Sequence, residues 1–132
     1  MKVVDSSTVA KYVNGEKNWE SAARVLDEGC ISLELAVKEA GNSLWKRVHR
    51  GELSSDQAKL LFSEFTASRP FTIDEQRGLY VPALEIAASL DLTFYDALFL
   101  ALAKERGLAL ATSDSAQAEA ARKLGLGVQF IE

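Results

Sequence analysis

Four carboxylates stand at positions where local structure does not plainly need them: Asp5, Glu39, Asp96 and Asp114. Asp5 follows the apolar pair Val3-Val4, and Ser6, Ser7 and Thr8 can each cap the helix that comes next, so the acid reads as surplus to capping. Asp96 sits in Thr93-Phe94-Tyr95-Asp96 as the third residue of a helix capped by Thr93, a favourable place for an anion. That helix is otherwise almost wholly apolar from Ala97 to Ala103, and a charge carried to the edge of a core requires a partner. Asp114 follows Leu110-Ala111-Thr112-Ser113 and serves equally well as a simple cap. Glu39 shares a helical stripe with Asn42, Lys46 and Arg50, away from Leu33, Val37 and Leu44; such a stripe is ordinarily a solvated face. Carboxylates gathered in one crevice repel unless hard divalent cations, which take oxygen ligands, lie between them. With no thiolate or histidine pattern nearby, magnesium or manganese suits this donor set. His49, alone on a charged helix end, reads as a surface residue.

The elements that must position these acids are short strands alternating with helices. Val3-Val4 reads as a buried strand, followed by a helix to about Val13. A second helix runs from about Asn18 to Glu28 and is stopped by Gly29, before a minimal strand at Cys30-Ile31. Ser32 reads as the cap of a long helix to about Arg50, and Ser54-Ser55-Asp56-Gln57 as a capping box opening another with Leu60, Leu61 and Phe65 on its apolar face. Gly41, beside Glu39 in the long helix, costs up to about 1 kcal/mol in propensity against Ala and so marks a close approach to the backbone. Pro70 to Ile73 is expected as a strand and Glu75 to Leu90 as a helix kinked or begun at Pro82. The apolar helix after Thr93 ends at Gly107, followed by a strand at Leu108 to Ala111, a helix from Ser115 to Leu124, and a last strand at Val128 to Ile131. This alternation predicts right-handed crossovers and a parallel sheet between helical layers, with the site beyond the carboxyl ends of the strands, where Asp5 and Asp114 fall.

Composition sets the frame. A chain of 132 residues, 48% hydrophobic, builds one core, so a single domain spanning residues 1-132 is expected. No apolar stretch reaches spanning length and Met1-Lys2-Val3-Val4-Asp5 opens as a strand, giving the expectation of a cytoplasmic protein. Cys30 has no partner for an internal disulfide and reads as core. The net charge of −4 argues against a broad nucleic-acid surface, unless the excess acid belongs to a metal site with a local basic rim.

These pieces together resemble the PIN domain, and within it the VapC toxins of prokaryotic toxin–antitoxin pairs. The resemblance spans the chain and rests on Val3-Val4-Asp5-Ser6-Ser7, Glu39-Ala40-Gly41-Asn42-Ser43-Leu44, Thr93-Phe94-Tyr95-Asp96-Ala97-Leu98 with Ala101-Leu102-Ala103, and Leu110-Ala111-Thr112-Ser113-Asp114. It implies an α/β three-layer sandwich around a five-stranded parallel sheet in order 3-2-1-4-5. It also implies that Asp5, Glu39, Asp96 and Asp114 form the acidic quartet, with Ser6, Asn42 and Thr112 as polar support. One departure stands out: the further acid that some PIN domains carry two residues after the last aspartate is here Ala116, which implies weak or substrate-dependent binding of a second metal. The resemblance further implies a VapB-type antitoxin, whose tail places a basic side chain in the crevice, and a homodimer.

The chemistry expected is hydrolysis of an RNA phosphodiester, with metal held mainly by Asp5, Asp96 and Asp114, and Glu39 placing a water or a second ion. Lys11, Lys46 and Arg50 are candidates for phosphate contact, against an equal reading as solubilising charge. Tyr12, Trp19, Trp45 and Phe62 include candidates for partner surfaces, against a simpler reading as core. Other phosphate chemistry fits poorly: Ser7 stands where a haloacid-type phosphatase needs its second acid, a receiver's phosphoacceptor and late lysine are missing, and there is no GxxxxGK[ST] run. The competing reading is a non-catalytic protein-binding module whose acids only cap helices.

Overall fold

The computed structural model describes residues 1–132. Five strands, β1 (Lys2–Val4), β2 (Cys30–Leu33), β3 (Thr72–Asp74), β4 (Ala109–Thr112) and β5 (Val128–Phe130), form one sheet in order β3-β2-β1-β4-β5. Every pair is parallel, as right-handed crossover units require. Seven helices flank it: α1 (Ser6–Asn14), α2 (Trp19–Asp27), α3 (Glu34–His49), α4 (Ser55–Ser68), α5 (Tyr80–Leu90), α6 (Phe94–Arg106) and α7 (Ser115–Lys123). The expected three-layer arrangement and strand order are both present.

Burial explains the sequence pattern. Val3 and Val4 of the central strand and Leu110 and Ala111 of its neighbour are completely buried, which is why these strands read as continuous apolar runs. All residues from Ala97 to Ala103 on α6 are buried, so this helix lies in the core with its first turn at the sheet edge. Cys30 is buried as expected, and burial pushes its thiol up to about 11. The capping box at Ser54 forms in full, with Gln57 N donating to the Ser54 hydroxyl and Ser54 N donating to the Gln57 side chain. Pro82 falls in the first turn of α5, where no backbone donor is required of it. Gly41 is explained by Phe62 of α4: a Cβ at Gly41 would sit 3.1 Å from the tip of its ring.

Three expectations change. Ser32 does not cap α3; it lies inside β2, fully buried, with its hydroxyl donating to Val4 O at 2.7 Å, and the helix begins at Glu34 behind Leu33. Binding the neighbouring strand's carbonyl keeps the Ser32 hydroxyl in the sheet. The single helix expected from Glu75 is a 3-10 turn, Arg77–Leu79, followed by α5 from Tyr80. On α4 Phe65 is buried but Leu60 is 60% exposed, so the apolar face is narrower than the sequence pattern suggests.

Candidate functional site

β1 and β4 lie side by side, with Val4 opposite Ala111, so the residues just past their carboxyl ends meet at one edge. Asp5 is the first of these. It is the N-cap of α1: its Oδ1 accepts from Thr8 N at 3.1 Å and from the Ser7 hydroxyl at 2.7 Å. The expectation that a serine or threonine would cap this helix, leaving the acid surplus, is therefore corrected. Asp5 does the capping with one oxygen and more with the other, because Oδ2 accepts from the Thr112 hydroxyl at 2.5 Å. Each hydroxyl is itself held by a backbone donor, Ser113 N on Ser7 Oγ and Asp114 N on Thr112 Oγ1. A hydroxyl has one proton, so the Ser7–Thr112 contact of 3.2 Å carries none while both protons point at an ionised Asp5.

Asp114 caps α7, its Oδ1 accepting from Ala116 N and Gln117 N, which leaves the second oxygen open to solvent. Asp96 stands in the first turn of α6 behind the Thr93 cap, as the sequence predicts. Gln117, buried at the start of α7, donates from Nε2 to Asp96 O at 2.8 Å and ties the beginnings of α6 and α7 together. Glu39 faces them from the middle of α3, half-buried.

The four acids line a single crevice of about 250 Å³ with Ser6, Ser7, Asn42, Ser43 and Lys46. None of them takes part in any of the five salt bridges of the chain. Burial pushes Asp5 above the usual carboxylate range, against the hydrogen bonds from Thr112, Ser7 and Thr8. Glu39 is raised first by burial and then by the charges of Asp96 and Asp5, with Ser6 and Lys46 opposing. Asp96 is raised by burial and by Asp114, with Thr93 opposing. The acids thus act on one another across the crevice.

An all-oxygen donor set of this kind fits a hard divalent ion. No three of the carboxylates are drawn tightly enough around one point to form a ready ligand cage. This is compatible with magnesium, which keeps several waters and takes only one or two carboxylates directly. The Ser6 hydroxyl leans towards Glu39 closely enough to favour its charge, yet its buried oxygen meets no partner at hydrogen-bonding distance and angle.

The predicted residues Asp5, Glu39, Asp96, Asp114, Ser6, Asn42 and Lys46 all reach the crevice, and buried Thr112 supports it from behind. Lys11 does not belong with them. It is 8% exposed, and its ammonium donates to Lys17 O and Glu132 O, so it is a clasp inside the fold and not a phosphate contact. Arg50 lies just past the end of α3, as its C-cap, paired with Glu52. Trp19 and Trp45 are exposed, the latter stacked on the exposed ring of His49, whereas Tyr12 and Phe62 pack partly against the core. Sequence reasoning missed Ser7 and Gln117. The second had a readable signal, since Asp114-Ser115-Ala116-Gln117 has capping-box spacing, although Gln117 turns instead to Asp96.

Comparison with known proteins agrees with this fold. The PIN domain family matches residues 2–123. Ribonuclease VapC3 of Pyrobaculum aerophilum is 32% identical over 120 residues, covering 89% of this chain and 92% of that protein. Exonuclease VapC9 of the same organism is 35% identical over 86 residues, 62% of this chain and 59% of that one. Among solved structures, the crystal structure of PAE2754 from Pyrobaculum aerophilum superposes with a TM-score of 0.74 at 25% identity, over 96% of this chain and 87% of that one. The match of family, relatives and sheet order along nearly the whole sequence means that this chain belongs to the PIN-domain family, as a protein of the VapC type.

Proposed function

We propose that this protein is a divalent-metal-dependent endoribonuclease that hydrolyses RNA phosphodiester bonds, the toxin of a VapBC-type pair. The observation that carries the reading is the crevice itself, where Asp5, Glu39, Asp96 and Asp114 line one space with a single cation, Lys46, and none of the four takes part in a salt bridge. The names of the relatives, one a ribonuclease and one an exonuclease, support nuclease chemistry. When bound, Mg2+ or Mn2+ would polarise the phosphoryl oxygens and make water a stronger nucleophile near neutral pH. Asp5, Asp96 and Asp114 would hold it, Asp5 in an orientation locked by Thr112 and Ser7, Asp114 through the oxygen that its cap leaves free. Glu39 approaches from the opposite wall, where it can orient the attacking water or share a second ion. Lys46, on the same wall, is suited to contact phosphate.

A VapB-type antitoxin fits as partner, with a basic side chain adding countercharge to a crevice that holds four acids and one cation, Lys46. A homodimer would have a face available on α5 and the start of α6, where Tyr80, Val81, Leu84 and Tyr95 are exposed. An RNA substrate implies action in the cytoplasm, and no single helix is long and apolar enough to cross a membrane.

The binding-module reading has one observation in its favour, that Asp5 and Asp114 do cap helices. It leaves unexplained why Glu39 and Asp96, which cap nothing, are half-buried in the same crevice, each raised first by burial and then by other acids of the set, Glu39 by Asp96 and Asp5 and Asp96 by Asp114. Incubating the protein with end-labelled linear RNA and with circular RNA separates the possibilities. Cleavage of both with magnesium or manganese, its loss with chelator and its loss in Asp5→Asn and Asp96→Asn are the expected results. Cleavage of linear RNA alone would make the enzyme an exonuclease, and cleavage unaffected by chelator would reject the metal role.

A further inference from the structure

Beyond the acidic crevice, the last turns of α3 face the end of α1 across a second cup of about 420 Å³ with no hydrophobic residue in its lining. Asn14, Ser43, Lys46, Arg47, Arg50 and Glu52 line it, together with Glu16. Ser43 and Lys46 also line the crevice, so the two spaces share a wall. From Glu39 to Arg50 the α3 stripe runs along about 16 Å of helix at 1.5 Å per residue, a length that suits an extended strand more than one nucleotide. Three cations against two carboxylates make the cup net positive in a chain whose net charge is −4.

The cup is built and not incidental. Arg47 is held in place by Asn14, whose Oδ1 accepts from Nη1 at 3.1 Å, and Asn14 is fixed in turn by donating to Ser43 Oγ and Ala10 O, each at 2.9 Å. Arg47 and Arg50 then converge on one group: Nε of Arg47 lies 3.4 Å from Glu52 Oε1 and Nε of Arg50 lies 2.6 Å from Oε2. Two guanidinium groups gripping one oxygen each of an exposed anion is the arrangement that the two non-bridging oxygens of a phosphodiester would satisfy. Basic residues at a helix C-terminus also complement its dipole. That accounts for positive charge here but not for the Asn14 clamp or for the wall shared with the acids.

We propose that this cup is a backbone-phosphate subsite for an RNA strand whose scissile bond lies in the acidic crevice, and that Glu52 occupies it until the strand displaces it. The proposal rests on the ribonuclease reading, and adds to it a second anchor and a built-in competitor.

The test measures binding of a fluorescein-labelled single-stranded RNA to the full chain by anisotropy in EDTA, so that no cleavage occurs. Arg50→Ala should weaken binding several-fold and reduce the slope of log K against log salt by about one. Glu52→Gln should tighten binding by about two- to fivefold, the range expected for loss of an exposed competing pair. The double variant should bind like Arg50→Ala or nearly so, because the gain depends on the guanidinium being present. Glu85→Gln, on α5, controls for simple loss of negative charge. Equal gains from Glu52→Gln and Glu85→Gln, or full additivity in the double variant, would overturn the subsite. Wild-type cleavage with magnesium or manganese is scored separately. Cleavage without these binding shifts rejects the cup alone, and binding shifts without any cleavage reject the ribonuclease reading while keeping the cup as an RNA site. The absence of both RNA binding and RNA cleavage rejects both.

Discussion

The Thr112 hydroxyl donates to Asp5 Oδ2 at 2.5 Å and accepts from Asp114 N at 3.0 Å, joining two acids that lie more than a hundred residues apart through one side chain. Thr112→Val keeps the shape and removes both bonds. A buried carboxylate oxygen and a backbone donor then lose their partner, which should lower stability by about 1–3 kcal/mol in urea unfolding. Loss of a bond that favours the charged form should also move Asp5 further up, so the acid limb of the cleavage profile shifts to higher pH. Thr112→Ser should restore both. An unchanged acid limb in Thr112→Val would show that the hydroxyl supports the fold but not the charge of Asp5.

Asp5, Glu39 and Asp96 should add stability to the metal-free protein as the pH falls from neutrality towards the unfolded carboxylate range at about 4, the reverse of the usual paired carboxylate. Asp5, Glu39 and Asp96 are all raised in the folded chain, chiefly by burial. A group raised on folding contributes stability that is complete below its unfolded pKa, near 4 for these acids, and lost as the pH rises through the folded value. Glu52, lowered by Arg50 and Arg47, works in the opposite sense, but on an exposed and screened pair. The clean measurement is the difference in Tm between wild type and Asp5→Asn in EDTA across this range. The variant should lead at neutral pH and lose its lead in acid. Asparagine retains the cap on Thr8 N, and Thr112 can turn to accept from its amide. Adding magnesium or manganese should raise the wild-type Tm and leave the variant's unchanged.

Lys11→Met should cost stability and not RNA affinity. The ammonium is buried and ties α1 to two backbone oxygens at the edge of the fold, Lys17 O and Glu132 O; removing it should destabilise by about 1 kcal/mol, moderated because Asn18 also donates to Glu132 O. Calorimetry and RNA anisotropy on the same variant check both halves. Weaker RNA binding with an unchanged Tm would return Lys11 to the surface role first expected of it.

Gly41→Ala should stay within about 1 kcal/mol of wild type, because improved helix propensity offsets a small retreat of Phe62, whose ring is only partly buried and borders an open groove beside Trp45. Gly41→Leu cannot be absorbed by such a shift. It should displace α4 and cost about 1–3 kcal/mol in urea unfolding.

The sequence by itself determined the alternation of strands and helices, the single core and the identity of the acids, because each rests on local pattern. Val3-Val4 and the apolar run to Ala103 report burial directly, Gly107 and the Ser54–Gln57 box report helix ends, and Asp96 on an apolar helix reports a charge at a core edge. Tertiary structure decided everything that depends on two segments meeting. Ser32 was readable as a cap until the Val4 carbonyl beside it drew its hydroxyl into the sheet. Lys11 was readable as a surface cation until the chain brought Lys17 O and Glu132 O around it. Whether a lone carboxylate is a helix cap or part of a site depends on the second oxygen, and the second oxygen of Asp5 finds its partner only because β1 and β4 lie adjacent.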